Sequence, residues 1–215
     1  MKDCDVILFD LDGTLLDSLE DMYDAVNRTL RAMGRKERTR DEVRAFVGNG
    51  ARRLLELALG TKEEEEVERA LSLYLPDYEA HCRDKSVPYA GILDAMRTLR
   101  AAGKKLAVVS NKPDEGVQAL AALYFGDLVD YAVGERAGIA RKPAPDTVLA
   151  ALDALGASAE TAVYVGDSEV DVMTAKAAGT KLLAVSWGFR SKQQLIDAGA
   201  ETIADSVGEM MEMLG

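Results

Sequence analysis

Short apolar runs alternate with helical patterns along most of this chain. The first run is Val6-Ile7-Leu8-Phe9, and similar ones recur at Leu106 to Val109, Tyr131 to Val133, Ala162 to Val165 and Leu182 to Val185. A continuous apolar run of this length suits a strand buried on both faces. Between the runs, apolar residues at three- and four-residue spacing predict helices over Ile92 to Ala102, Asp114 to Leu123, Asp146 to Leu155 and Glu169 to Ala178. Strand alternating with helix predicts a parallel sheet covered by helices. Right-handed crossovers then put the C-terminal strand ends on one rim, where ligands bind in such sheets.

One stretch breaks the alternation. Between Asp17 and Pro88 no run reads as a strand. Leu19, Met22, Tyr23, Val26, Leu30 and Met33 keep helical spacing, as do Val67, Leu71, Tyr74, Tyr78 and Cys82. Arg40 to Phe46 and Ala51 to Leu59 read as two shorter helices around Val47-Gly48-Asn49-Gly50. The acids Glu63 to Glu66, after Thr61, suit a helix N-terminus and read as a solvated helix start. The expected organisation is a core made of residues 1–16 and 89–215, with residues 17–88 as an inserted all-helical cap. Hung over the rim, such an insert is a lid, with hinges near Leu16 to Ser18 and Ser86 to Gly91. No repeat or low-complexity tract appears.

Composition narrows the function classes. Hydrophobic residues make up 48% of the 215, enough to bury a core, so wholesale disorder is excluded. Acidic residues exceed basic ones by 37 to 26, for a net charge of -11. That balance repels nucleic acid and anionic membranes, and neither is expected as a partner. An anionic substrate is still compatible, because a metal ion and a few lysines reverse the field locally. No run approaches the ~18 apolar residues of a membrane helix. The N-terminus is too acidic and too short for a secretory signal. Cys4 and Cys82 lack metal-ligand spacing, so a reducing, cytoplasmic setting is expected.

Four segments carry chemistry. Asp10-Leu11-Asp12-Gly13-Thr14 ends the first strand, and Gly166-Asp167-Ser168 with Asp171 ends a later one. Each has a bland reading: an acidic turn for the first, a helix cap by Asp167 or Ser168 for the second. Together they crowd Asp10, Asp12, Asp167 and Asp171 on one rim. Clustered carboxylates cannot all ionise at neutral pH without compensation. A hard cation with oxygen ligands supplies it, and Mg²⁺ is the expected one. Val109-Ser110-Asn111-Lys112-Pro113 follows the second core strand and offers hydrogen-bond donors; it also reads as a plain strand-to-helix connection. Arg141-Lys142-Pro143-Ala144-Pro145-Asp146 brings a cation just before another helix, where proline-rich loops are commonplace.

These four segments, in this order over residues 10–171, resemble the motifs of the haloacid dehalogenase superfamily on its phosphatase branch. The resemblance implies an α/β fold: a Rossmann-like parallel sheet with helices on both faces and an inserted helical cap. It implies that Asp10 is a nucleophile forming an aspartyl-phosphate, and that Asp12 is the general acid and then the base. The catalytic set is completed by Ser110 and Lys142, which hold the phosphoryl oxygens and neutralise charge. Gly13, Thr14 and Asn111 are expected to line the phosphoryl site. The implied metal residues are Asp10, Asp12 (also through its backbone carbonyl), Asp167 and Asp171. The branch that works without Mg²⁺ lacks the second aspartate, so Asp12 argues against it.

The cap resembles that of phosphoglycolate phosphatases, on Val43 to Gly50, Tyr89-Ala90-Gly91 and Ser186-Trp187-Gly188-Phe189-Arg190. The expected activity is hydrolysis of a small phosphomonoester, 2-phosphoglycolate first. Pyrophosphate, a nucleotide or a sugar phosphate stand behind it, and a β-phosphoglucomutase-like phosphomutase further back, because Gly13-Thr14-Leu15 is kept. Gly48, Asn49, Gly50 and Arg52 are the expected specificity loop. Arg52 also reads as an exposed base starting a cap helix. Trp187 reads equally as pocket wall or core edge. His81, the single histidine, reads as a surface residue, and Met210, Met211 and Met213 as packing of a last helix. The oligomeric state stays open between monomer and homodimer.

Overall fold

Four consecutive apolar residues have one stable place, a strand covered on both faces. In the computed structural model, which describes all 215 residues, β1 (Val6–Phe9) takes that place and is buried along its whole length. In chain order there follow β2 (Leu16–Asp17), α1 (Leu19–Ala32), α2 (Arg40–Phe46), α3 (Gly50–Leu59) and α4 (Glu64–His81). Then come β3 (Val87–Pro88), α5 (Ile92–Ala101), β4 (Lys105–Pro113), α6 (Asp114–Tyr124), β5 (Tyr131–Glu135) and α7 (Asp146–Leu155). The chain ends with β6 (Ala162–Gly166), α8 (Glu169–Ala178), β7 (Lys181–Val185), α9 (Lys192–Asp197), β8 (Ile203–Ala204) and α10 (Val207–Leu214).

The chain divides into two units, Met1–Leu16 with Pro88–Gly215, and Asp17–Val87. The first holds a six-stranded sheet in the order β5-β4-β1-β6-β7-β8, and its strand pairs are parallel. One face, with Val6, Leu8, Ala107, Val109, Ala162 and Tyr164, packs on Val148, Ala151, Leu152 and Leu155 of α7 and Ala175 and Ala178 of α8. The alternate residues Ile7, Phe9, Val108, Val163 and Val165 are buried as well, so both faces are covered. Truncating any one of these, Leu8→Ala for instance, is worth about 2–5 kcal/mol of stability. From β1 the chain order runs one way to β4 and β5, and from β6 the other way. The crevice where that order reverses, at the strands' C-terminal ends, is where such sheets bind ligands.

Three features differ from the sequence reading. β4 does not stop at Val109 but runs nine residues to Pro113, so Ser110, Asn111 and Lys112 belong to the strand. Its pairing is irregular there: Val109 faces Val133 and Pro113 faces Glu135, so β4 spends four residues where β5 spends two. Such a bulge re-aims side chains at a sheet's end. Second, the stretch read as free of strands is bounded by β2 and β3, which form a two-stranded sheet at the division between the units. Third, β8 adds a sixth strand beside β7.

The second unit, Asp17–Val87, is helical between those short strands. Thr39 and Glu42 form a reciprocal capping box at the start of α2. The Asn27 amide donates to the Arg38 carbonyl (3.0 Å) and accepts from its N–H (2.8 Å), tying α1 to the chain before α2. Buried Asp21, in the first turn of α1, accepts from the N–H of Lys85 and from the N–H and hydroxyl of Ser86. The start and the end of this unit are thus joined by one carboxylate. No helix of the chain is long and apolar enough to cross a membrane.

Candidate active site

Asp10 directly follows β1, and Asp167 directly follows β6, its neighbour in the sheet. The Asp10 backbone N–H donates to the Val165 carbonyl at 2.9 Å, which fixes the one strand end against the other. Asp171 lies one turn into α8. Carboxylate oxygens of Asp10, Asp167 and Asp171 all lie within 4.8 Å of one another, and all three residues are buried.

Lys142 is the cation among them. Its buried Nζ lies 2.9 Å from Asp10 Oδ1, 2.8 Å from Asp171 Oδ1 and 2.9 Å from the Tyr164 hydroxyl. Burial disfavours its charge, but Asp10 and Asp171 outweigh that and hold its pKa well above the ordinary lysine value. Asp10 goes the other way from a usual salt-bridged acid. Burial first, then the charges of Asp171 and Asp167, push its pKa well above the carboxylate range despite Lys142. Asp10 Oδ1 also accepts the Leu11 N–H at 2.7 Å, so both of these donors fall on one oxygen.

Asp167 is pushed up to about 7 by burial and by the charge of Asp171, against the Phe189 N–H and the Thr14 hydroxyl that bind its ionised form. Those bonds are 2.7 Å to Oδ2 and 2.9 Å to Oδ1. Two glycines make this possible. Gly13 has φ +86°, and a methyl at either Gly13 or Gly188 would overlap the Asp167 side chain. Asp171 Oδ1 also accepts the Tyr164 hydroxyl (3.0 Å), while Oδ2 accepts the N–H (3.0 Å) and hydroxyl (2.7 Å) of Ser168. The cap reading left open for Asp167 or Ser168 falls to Ser168, with Asp171 completing the box at α8.

The remaining expected residues are placed as follows. Asn111 Nδ2 donates to the Lys142 carbonyl and its Oδ1 accepts the Lys142 N–H. Ser110 is buried, and its Oγ accepts the Lys112 N–H at 3.2 Å. Thr14 spends its hydroxyl on Asp167, and its carbonyl accepts Trp187 Nε1 at 3.1 Å, so Trp187 braces the first motif. The Asp12 carboxylate stands outside the triad, with both oxygens 2.9 Å from Lys112 Nζ. In the helical unit, Gly48 and Gly50 have φ +113° and +79° around Asn49, which precedes α3 without capping it. Arg52 pairs with Glu64 (3.2 Å) and Glu68 of α4. His81 is exposed beside Asp84.

Tyr164 and Lys112 were given no role from the sequence. Tyr164 is one polar atom in an apolar run, and its hydroxyl had to find a partner there. Lys112 sits beside motif residues, and a lysine at the end of a buried strand is the one available hint. Three carboxylates facing one ammonium leave excess negative charge, and their oxygens are the donors hard divalent cations take. The residues therefore fit such an ion.

The profile of the haloacid dehalogenase-like hydrolase family matches residues 7–185. The phosphoglycolate phosphatase of Colwellia psychrerythraea is 33% identical over 98% of this chain and 97% of its own. That of Aquifex aeolicus is 40% identical over 86% and 85%. A crystal structure from Lactobacillus delbrueckii subsp. bulgaricus, of a protein provisionally named phosphoglycolate phosphatase, superposes with a TM-score of 0.93 at 38% identity, covering 100% and 99% of the two chains. CbbY from Rhodobacter sphaeroides, in complex with phosphate, gives 0.81 at 27% identity, with 96% of each chain covered.

Proposed function

This chain belongs to the haloacid dehalogenase-like hydrolases, and from that premise we propose that it is an Mg²⁺-dependent 2-phosphoglycolate phosphatase working through an aspartyl-phosphate on Asp10. That it hydrolyses phosphoric monoesters follows from its phosphatase relatives. The substrate is proposed from the names of the relatives and the cap motifs, the chemistry from the site. One observation carries the mechanism. Asp10 is buried at the strand end with Oδ1 held by Lys142 and the Leu11 N–H, which turns the other oxygen to the reaction.

In the first step that oxygen attacks phosphorus as the bond to the leaving oxygen breaks, and Asp12 gives the leaving oxygen a proton. In the second, Asp12 takes a proton from water, whose oxygen displaces Asp10 from phosphorus. Lys142 offsets charge on Asp10 throughout, and Asn111 holds Lys142 in place. Asp10, Asp167 and the Asp12 carbonyl would hold Mg²⁺, with Asp171 behind them. When bound, the ion neutralises the carboxylates and the phosphoryl group. The helical unit, with Gly48, Asn49, Gly50 and Arg52, is read as the element that selects the substrate.

The test is phosphate release from 2-phosphoglycolate, pyrophosphate, nucleoside monophosphates and sugar phosphates, with Mg²⁺ and with chelator, for wild type and Asp10→Asn. Metal-dependent release, greatest with 2-phosphoglycolate and lost in the variant, is expected. Release undiminished in Asp10→Asn would end the aspartyl-phosphate reading. Preference for another ester would end only the substrate assignment.

A further inference from the structure

A lysine ammonium is strongly hydrated, and its burial needs a counter-charge. Lys112 is buried, with its side chain 4% exposed, and its Nζ lies 2.9 Å from both Oδ1 and Oδ2 of Asp12. The two residues stand a hundred positions apart. No other lysine of the core is held toward the first motif in this way except Lys142, which serves Asp10.

The approach of Lys112 is built into the backbone. It lies in the irregular stretch of β4, where four residues span two of β5. Its N–H is bonded to Ser110 Oγ. A methyl on Gly134 of β5 would overlap the Lys112 carbonyl and the Asp114 Cα, so that glycine lets β5 close against this corner. The Gly134 N–H in turn donates to Asp114 Oδ1 at 2.7 Å. The aliphatic stem of Lys112 runs past Gly116 of α6, where a Cβ would already stand 3.5 Å from its Cδ. The stem thus leaves the bulge of β4 and runs alongside the first turn of α6, with room for a methyl between them.

We infer that Lys112 is the positioning residue of Asp12. Gripping both carboxylate oxygens, it sets the direction in which Asp12 faces the leaving oxygen and, in the second step, the attacking water. This rests on the reading of Asp12 as the group that exchanges the proton. A misdirected acid is costly in proportion to how much the leaving oxygen needs its proton. An alkoxide needs it most, and p-nitrophenolate hardly at all. A salt bridge that merely stabilised the fold would affect both kinds of ester alike.

The experiment compares kcat/KM for 2-phosphoglycolate, or another alkyl phosphate that the wild type hydrolyses, with that for p-nitrophenyl phosphate. The variants are Lys112→Met, Lys112→Arg and Asp12→Asn, with inhibition by inorganic phosphate measured alongside. Lys112→Met is expected to lose about a hundredfold on the alkyl ester and less than about tenfold on the aryl ester. Its phosphate inhibition constant should stay within about threefold of wild type, and Lys112→Arg should recover part of the alkyl activity. Lys112→Gln carries the same comparison if the methionine variant does not fold. Equal losses on both esters, or none, overturn the inference. If Asp12→Asn shows the selective loss and the Lys112 variants do not, Asp12 keeps its role and Lys112 has none. If Asp12→Asn retains alkyl activity, the reading of Asp12 falls first.

Discussion

The side-chain amide of Asn111 closes on the backbone of Lys142 at two points, donating to its carbonyl at 3.0 Å and accepting its N–H at 2.8 Å. Lys142 precedes α7 in a segment outside any strand, so this pair of bonds is what fastens its backbone to β4. Asn111→Ala leaves a buried donor and acceptor unpaired, worth about 1–3 kcal/mol each at most. The variant should melt lower and lose kcat by about tenfold or more, with a smaller change in KM, because a 1 Å displacement of Lys142 acts on the reacting groups. Thermal melts and steady-state kinetics check both parts. Unchanged kcat would mean that Lys142 is held by its own side-chain contacts.

Asp10→Asn should raise stability in the presence of chelator. The native carboxyl is pushed upward by burial and by Asp171 and Asp167, so its charged form opposes folding. The amide has the same shape and no charge, and Lys142 retains Asp171. With excess Mg²⁺ the order should reverse, since the wild type, with one more carboxylate in the donor set, gains more from the bound ion. Melting curves of both proteins under the two conditions decide it.

The pH dependence of the metal-free protein follows from Asp167. Its folded pKa, about 7, lies above the ordinary aspartate value. Between those two values the folded state binds more protons than the unfolded chain, so this group's contribution is present at low pH. It is lost as pH rises through about 7. Chelated protein should therefore melt lower at pH 7.5 than at pH 5.5 on this account. Added Mg²⁺ should raise the melting temperature more at the higher pH, where protons no longer compete for the carboxylates. An Mg²⁺ increment that did not grow with pH would count against Asp167 as a ligand.

Gly188→Ala should be among the most damaging single changes in the core unit. The added methyl would overlap the Gly13 carbonyl and the Cβ and Oδ2 of Asp167. Backbone on one side and a buried carboxylate on the other leave it nowhere to go, and overpacking of this kind costs about 1–3 kcal/mol or more. Loss of Mg²⁺ binding by titration calorimetry should exceed the loss expected from the drop in stability alone. A variant with native metal affinity would show that the Trp187 loop is free to retreat.

The long buried strands were legible because their apolar runs carry the signal within four or five residues, as in Val6 to Phe9 and Ala162 to Val165. β2, β3 and β8 were not, because two residues hold no period and their extension is imposed by a neighbour. Asp10, Asp167, Asp171 and Lys142 stand in recognisable motifs at strand ends or helix starts, and the structure brings all four together. What bound them was hidden. The reach of Lys112 to Asp12 depends on a bulge in β4, and that of Tyr164 to Lys142 on which face of β6 it occupies. Neither is a property of the local sequence. The partners of Arg52, Glu64 and Glu68 a helix away, do not announce themselves in the sequence either.

The position of β1 has a consequence for the order in which the molecule is made. Val6 is paired with Lys105 on one side and Ala162 on the other. The helical unit, by contrast, is one unbroken stretch, Asp17–Val87. During synthesis that stretch is complete, with all its internal contacts on hand, while β1 still waits with both edges bare. A bare apolar strand is a hazard for misassembly. Asp10 gains its neighbours Asp167 and Asp171 only when residues beyond Gly166 have left the ribosome. A chain stopped short of β6 would carry a finished helical unit and, in the sheet unit, an Asp10 without the carboxylates that surround it.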